Sequence, residues 1–375
     1  VKLYIIAGEA SGDLHAANLI KALRQREPGL EIRAWGGDLM EAAGATLVKH
    51  YRDLAFMGFA EVLMHLPTIL RNLEFCKQDI LAFKPDAVLF VDYPGFNLRM
   101  AEFVKKQGIP TSYYISPQLW AWKAGRVKQI RAYIDQMLCI LPFETGWYAK
   151  HGVEAHYVGH PLLDALAAYP FDPAFRNHFG LDDRPVLALL PGSRRQEIAV
   201  KLPIMLEAVR NKLPAFQVVI AAAPSQDMAV YQKIVGDYPA QIIAGHTYDL
   251  LRCASAAIVT SGTATLETAL IGTPEMVVYK GNPISYFIGK RLIKVKYISL
   301  VNLILDYPLL TELIQHDCNP PKIAATLEHL LQESETKKLQ AAYVELRTLL
   351  GGAGASEKAA AYLQTFMKRG LPDSK

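Results

Sequence analysis

A chain of 375 residues with 40 basic and 36 acidic side chains carries a formal charge of +4, too small an excess to point to nucleic acid, and none is expected as a partner. The length is too great for one comfortable core and sufficient for two. Although 51% of the residues are apolar, no uninterrupted apolar run approaches the roughly 18 residues of a spanning helix, so the chain is not expected to cross a bilayer.

The chain opens on a strand-like run, 3–8, with no signal-peptide pattern, which gives the expectation of a cytoplasmic protein. Gly8-Glu9-Ala10-Ser11-Gly12-Asp13 then leads into a helix that is clear over Ala16–Arg26. Glycines permit a tight turn and close approach of a ligand, and a helix N-terminus offers N–H groups and partial positive charge. The glycine spacing is not the dinucleotide fingerprint, so a generic strand-to-helix turn fits as well as a binding loop. A second strand-like run spans 31–37. Between 57 and 76, Leu63, Leu66, Ile69 and Leu73 follow helical spacing, and Met57 adds apolar surface elsewhere. Such a segment reads as core, and an interfacial helix would look the same.

The run 86–92 is continuously apolar up to Asp92, the mark of a strand buried on both faces. Ligands of open parallel sheets gather beyond the carboxyl ends of such strands. Asp92, followed by Tyr93-Pro94-Gly95-Phe96-Asn97, therefore suits a general base on a hydroxyl; a turn-forming aspartate is the structural alternative. After the run 111–116 come Trp120, Trp122 and Lys123, aromatic side chains that suit a sugar, a lipid interface or a packed cluster. Phe103 to Ile134 contains no acid but six basic residues, which reads as an anion-facing surface or a solvated basic face. A run at 136–143 completes the first half. Prolines 161, 170, 173 and 185, with Asp172, Asp182 and Asp183, then mark a domain boundary.

The second half repeats the pattern with strand-like runs at 186–193, 216–224, 241–245, 256–262 and 275–280. Helical patterns between them make βαβ units and a second parallel sheet, and the two halves are expected to face a central cleft. Gly192-Ser193-Arg194 precedes the helix Ile198–Leu213, a good anion pocket in which backbone N–H groups, a hydroxyl and a guanidinium converge. The loop holds no lysine and is not a P-loop. Thr260-Ser261-Gly262-Thr263-Ala264-Thr265-Leu266-Glu267 follows another buried strand: Ser261 or Thr263 suits a cap, and Gly262 leaves room for a diphosphate. Glu267 suits a ribose diol or simply the helix dipole. Asn302 reaches the same cleft or ends a strand. A second acid-free stretch, Met276 to Leu305, is basic. Cys76, Cys139, Cys253 and Cys318 are far apart and read as reduced thiols. No D-x-D occurs, which suits neutralisation of a leaving diphosphate by arginine and helix dipoles, so no metal and no cofactor are expected.

Together these segments resemble the lipid-A-disaccharide synthase family. AGEASGDLHAANLIKAL, MGFAEVL, VDYPGFN, YYISPQLWAWKAGRVKQI, LPFE, VGHPL, LLPGSRRQEI, TSGTATLETAL and SLVNLIL keep their order and spacing. The resemblance implies an α/β, GT-B-type fold: a Rossmann-like acceptor- and membrane-facing domain over 1–165, a UDP-sugar domain over 166–345 and a helical tail over 346–375. It implies transfer of 2,3-diacylglucosamine from UDP to 2,3-diacylglucosamine 1-phosphate, with inversion, at the inner-membrane surface, and leaves a homodimer open. It assigns Asp92 as base and Arg194 to the diphosphate. Gly192, Ser193, Ser261, Gly262, Thr263, Ala264, Glu267 and Asn302 fall on the donor site, and Ser11, Gly12 and Asp13 on the acceptor side. Met57, Leu63, Leu66, Ile69 and Leu73 become candidate membrane or acyl contacts. Some relatives carry a second acid where Gly95 stands, so a carboxylate pair within this loop is excluded.

Overall fold

The computed structural model describes residues 1–54, 66–121, 124–282 and 296–370. Two compact units form, Val1–Ala168 together with the segment from Leu350 onward, and Tyr169–Leu349. Among the described residues the first holds seven parallel strands: β1 (Lys2–Ala7), β2 (Glu31–Gly36), β3 (Thr46–His50), β4 (Ala87–Val91), β5 (Thr111–Tyr114), β6 (Gln136–Cys139) and β7 (Ala155–Tyr157). Their order is β3-β2-β1-β4-β5-β6-β7. The unbroken apolar runs have a plain cause. Alternate residues of a strand point to opposite faces, and both faces are covered. Leu3 and Ile5 pack with Leu19 and Leu23 of the helix Ala10–Arg26. Tyr4 and Ile6 share the other core with Cys76 and Ile80 of the helix Leu66–Phe83.

Strand order reverses direction between β1 and β4, where ligands of doubly wound sheets bind. Ala7 is paired in register with Val91, so Gly8 and Asp92 leave the sheet side by side. The second unit repeats this plan with β8 (Val186–Leu190), β9 (Gln217–Ala222), β10 (Ala240–Ala244), β11 (Ala254–Thr260), β12 (Glu275–Tyr279) and β13 (Glu312–Ile314), ordered β10-β9-β8-β11-β12-β13. Its switch point lies between β8 and β11. Leu190 pairs with Val259, which brings the loops after Leu190 and Thr260 to adjacent places.

Three expectations change. The division falls at Ala168/Tyr169, a little beyond 165/166. The tail is not a part of its own: Ala359, Ala360, Leu363 and Met367 of the helix Ala355–Gly370 join the core of the first unit. Asp164 caps that helix, accepting from the amides of Gly354 (2.5 Å), Ala355 (3.2 Å) and Ser356 (2.7 Å). Finally, the helix Leu66–Phe83 turns Leu73 into the core, so it is a packing residue rather than a surface contact, and packs half-buried Ile69 against that core. The apolar side chains it exposes are Leu70, Phe75 and Leu81. Met57 and Leu63 lie outside the described residues, as does the side chain of Leu66.

Candidate active site

In the first unit the site is built at the carboxyl ends of β1, β4 and β5. Asp92 and Tyr93 both adopt left-handed backbone, with φ of 46° and 50°, a conformation that non-glycine residues rarely accept. The surroundings enforce it. The fully buried Asn97 amide donates to the carbonyls of Asp92 (2.7 Å), Ile6 (3.3 Å) and Val91 (3.3 Å). The Tyr113 hydroxyl donates to the Asp92 carbonyl as well, at 2.5 Å. Pro94, with its fixed φ, opens the helix Pro94–Lys106 directly behind the turn. The Tyr93 ring lies against Gly8, where an added Cβ would come within 2.3 Å of it, so only glycine fits there. The turn thus lifts the Asp92 carboxyl out of the sheet at the switch point. Burial first, and then the negative charge of Glu9, push it from 3.8 up to about 6, against a lowering hydrogen bond from the Tyr93 amide. A carboxylate with this pKa is a competent proton acceptor near neutrality.

Beyond β5, Ile115 is also left-handed (φ 63°), a strained state for a β-branched residue. The adjoining loop is pinned from beneath by Glu144, which accepts from the Trp120 indole (3.2 Å) and the amides of Ile140 (3.2 Å) and Leu141 (3.0 Å). Burial pushes Glu144 up to about 7. Trp120 meets Phe143 edge-on at 4.9 Å between ring centroids, a packed aromatic contact. Trp122 and Lys123 lie outside the described residues.

In the second unit, β8 ends at a turn where Gly192 has φ of 116°. An added Cβ would sit 2.4 Å from the Glu197 carboxylate, so Glu197 fills the space under the turn. Arg194 precedes the helix Arg195–Val209; its side chain is 63% exposed and rests against Glu197 at 3.4 Å. Across the switch point, β11 leads through Ser261 and Gly262 to the helix Thr263–Ile271. Among the described residues no side chain caps this helix; the Ser261 hydroxyl donates instead to the Ile298 carbonyl at 3.0 Å. Its first N–H groups, beside exposed Gly262 and Thr263, and the Arg194 guanidinium are the donors an anion needs. One turn on, Glu267 accepts from the Tyr248 hydroxyl at 2.9 Å, and burial raises its pKa.

A family model described as lipid-A-disaccharide synthetase matches residues 3–366. The lipid-A-disaccharide synthase of Syntrophus aciditrophicus is 43% identical over 373 residues, covering 97% of each chain. The chain belongs to the lipid-A-disaccharide synthase family. As a member of the lipid-A-disaccharide synthase family it is a glycosyltransferase of lipid A biosynthesis. Solved structures agree on a GT-B fold of two Rossmann-like domains. The calicheamicin glycosyltransferase CalG4 superposes with a TM-score of 0.59 at 18% identity, covering 99% of each chain. The UDP-GlcNAc 2-epimerase of Methanocaldococcus jannaschii gives 0.66 at 14% identity, over 98% of this chain and 100% of that one.

Within this lipid-A-disaccharide synthase family member, the structure gives two motif residues other work than expected. Asp13, expected on the acceptor, is 2% exposed, and its oxygens accept from the amides of Gly37 (2.8 Å), Met40 (3.1 Å) and Leu39 (3.2 Å). It caps the short helix Asp38–Ala42 and has turned away from solvent; of its neighbours, Ser11 is exposed and Gly12 buried. Asn302, expected on the donor, is fully buried. Its amide donates to the Leu310 carbonyl (2.9 Å) and Glu312 (3.0 Å), and its oxygen accepts from the Leu310 amide (2.8 Å). Both side chains are saturated by backbone or a neighbouring acid. Conversely, the sequence assigns no role to Glu9 or Asn97. Glu9, in the loop after β1, is a second acid whose charge acts on Asp92.

Proposed function

We propose that the chain transfers 2,3-diacylglucosamine from UDP to 2,3-diacylglucosamine 1-phosphate, forming a β-1,6 linkage with inversion and releasing UDP. The observation that carries this reading is the Asp92 carboxyl, held at a β-strand terminus by strained backbone with its pKa raised to about 6. Asp92 accepts the proton of the acceptor 6-hydroxyl as that oxygen attacks the anomeric carbon. The bond from that carbon to the diphosphate breaks on the opposite face, and UDP leaves. Arg194, the Gly192–Ser193 backbone and the start of the Thr263–Ile271 helix take up the negative charge growing on the leaving group. No metal is required for that neutralisation. Glu267, one turn into the same helix, receives the ribose. Ser261, Gly262, Thr263 and Ala264 border the donor, and exposed Ser11 is the acceptor-side contact that remains. The acyl chains of both substrates place the reaction at the inner-membrane surface, where the chain is peripheral; among the described residues no helix is long and apolar enough to cross a membrane. A homodimer is the candidate assembly.

The test is UDP release from UDP-2,3-diacylglucosamine with and without 2,3-diacylglucosamine 1-phosphate, in the presence of chelator, for the wild type and Asp92→Asn. Release that needs the acceptor and is lost in the variant supports substrates, metal independence and base together. A folded wild type that binds UDP but releases none discards the acceptor assignment. Near-normal turnover by the variant discards the base.

A further inference from the structure

Lys201 lies on the helix just past the Gly-Ser-Arg loop, and it is only 1% exposed. A buried ammonium is ordinarily paired with a carboxylate, because stripping its water is costly. Here the acid one turn before it, Glu197, bonds Arg194 instead. Among the described residues Lys201 has no ion pair, and the whole stretch from Met276 to Leu305 contains no acid to supply one. Its nitrogen sits over the Tyr279 ring, 6.0 Å from the centroid, and Tyr279 is the last residue of β12. Helical side chains lean toward the helix N-terminus, which carries this charge back toward the first turn, where Glu197 and Arg194 both act on it. The ammonium therefore lies at the carboxyl edge of the sheet, behind the anion loop. Burial lowers its pKa and Glu197 works the other way.

We propose that Lys201 is a positioning residue for the diphosphate of the donor: it takes over Glu197 when Arg194 turns to the phosphates. The inference rests on the nucleotide-diphosphate reading above. Glu197 holds the exposed Arg194 guanidinium at 3.4 Å, a contact a diphosphate bound by Arg194 must replace. Releasing Arg194 strands a part-buried carboxylate under Gly192, unless a second cation is at hand. Lys201, four residues further along and on the same helical face, is that cation. Its charge is buried and hence weakly screened, so its pull on both Glu197 and the diphosphate persists at salt concentrations that weaken an exposed arginine.

The experiment is calorimetric titration of UDP and of uridine into the full chain, for the wild type, Lys201→Met, Lys201→Arg and the double variant Lys201→Met/Glu197→Gln. For Lys201→Met we expect UDP to weaken about tenfold, as for loss of one partly screened charge at close range. Uridine affinity should be unchanged, Lys201→Arg should stay close to the wild type, and the double variant should recover most of the UDP affinity because no carboxylate then competes for Arg194. Equal UDP affinity in Lys201→Met and wild type overturns the proposal. So does a Lys201→Met chain that loses cooperative melting or weakens for UDP and uridine alike, since either outcome makes the lysine a core residue only. A wild type that binds no UDP overturns the nucleotide reading itself, which is a separate result.

Discussion

Replacing Asp92 by Asn separates what this carboxylate costs the fold from what it does for the reaction. Burial and Glu9 raise the acid from 3.8 to about 6. An acid whose folded pKa lies above its unfolded value binds its proton more tightly in the folded chain. Stability is therefore greatest below the unfolded pKa, falls as the pH rises through about 6, and stays lower above it. At about 1.36 kcal/mol per pH unit, the gap of about two units corresponds to about 3 kcal/mol of destabilisation at neutral pH. Partial exposure of the carboxyl and relaxation of the variant reduce the recoverable part to about 1–2 kcal/mol. For a domain of about 150–250 residues that is a rise in melting temperature of about 2–8 °C. Asn accepts left-handed backbone at least as readily as Asp, so the substitution adds no strain at φ 46°.

The assay is thermal melting at pH 7.5 and pH 4.5, with turnover measured in parallel. The Asn variant should melt higher than the wild type at pH 7.5. That advantage should shrink at pH 4.5, where the wild-type carboxyl is largely protonated, and turnover should fall about 100-fold or more. A variant that melts lower at pH 7.5, or whose advantage is the same at both pH values, would refute the electrostatic reasoning about the turn.

With a base of pKa about 6, the wild-type rate should fall about tenfold between pH 7 and pH 5; Glu9→Gln, by removing a neighbouring negative charge, should move that limb to lower pH, and an unmoved limb in the pH–rate profile would show that the two acids do not interact. Gly192→Ala puts a Cβ 2.4 Å from Glu197 on backbone at φ 116°; UDP affinity by calorimetry should drop about tenfold or more while the chain stays folded. Glu275 is 1% exposed, burial raises its pKa well above the usual carboxylate range, and neither of its oxygens has a hydrogen-bond partner among the described residues. Glu275→Met should therefore raise the stability of the second unit by about 1–3 kcal/mol, read as a higher melting temperature at pH 8.

Much of the fold is legible in the sequence because its central strands are covered on both faces. Continuous runs such as VLALL and AAIVT can hardly be anything else once helices alternate with them. The strands that escape such a reading are β3, β7 and β13, short and mostly only part-buried; Thr46–His50 and Ala155–Tyr157 lack the apolar continuity that marks the others. Asp92 and the Gly-Ser-Arg and Ser-Gly-Thr loops stand out because each lies just past the carboxyl end of a buried strand. Glu9 does not, because its action on Asp92 depends on β1 lying beside β4, a neighbour relation created by a crossover of the chain. Nor does the left-handed backbone at Asp92 and Tyr93 show in the sequence: neither is glycine, and the bonds that enforce it come from Asn97 and from Tyr113 on another strand.

Asp13, Asn97 and Asn302 show why motif residues of one chemical type divide into two kinds of work. A turn at the end of a buried strand leaves amides and carbonyls without ladder partners, and inside a protein these must be satisfied. Short polar side chains satisfy them at little entropic cost: Asp13 takes three amides, Asn97 gives to three carbonyls, and Asn302 bridges Leu310 and Glu312. Each is buried because its partners are. Asp92 differs in that its backbone is held by other residues while its carboxyl stays part-buried beside Glu9, and Arg194 differs in that its side chain is 63% exposed against Glu197. The division has a measurable signature. Substituting Asn97 or Asn302 by Ala leaves buried carbonyls or an acid unpaired, so melting temperature and turnover should fall together. Substitution of Asp92 should move them in opposite directions, because the strained backbone and the raised pKa that would suit the carboxyl to the proposed proton transfer are what the fold gives up to keep it there.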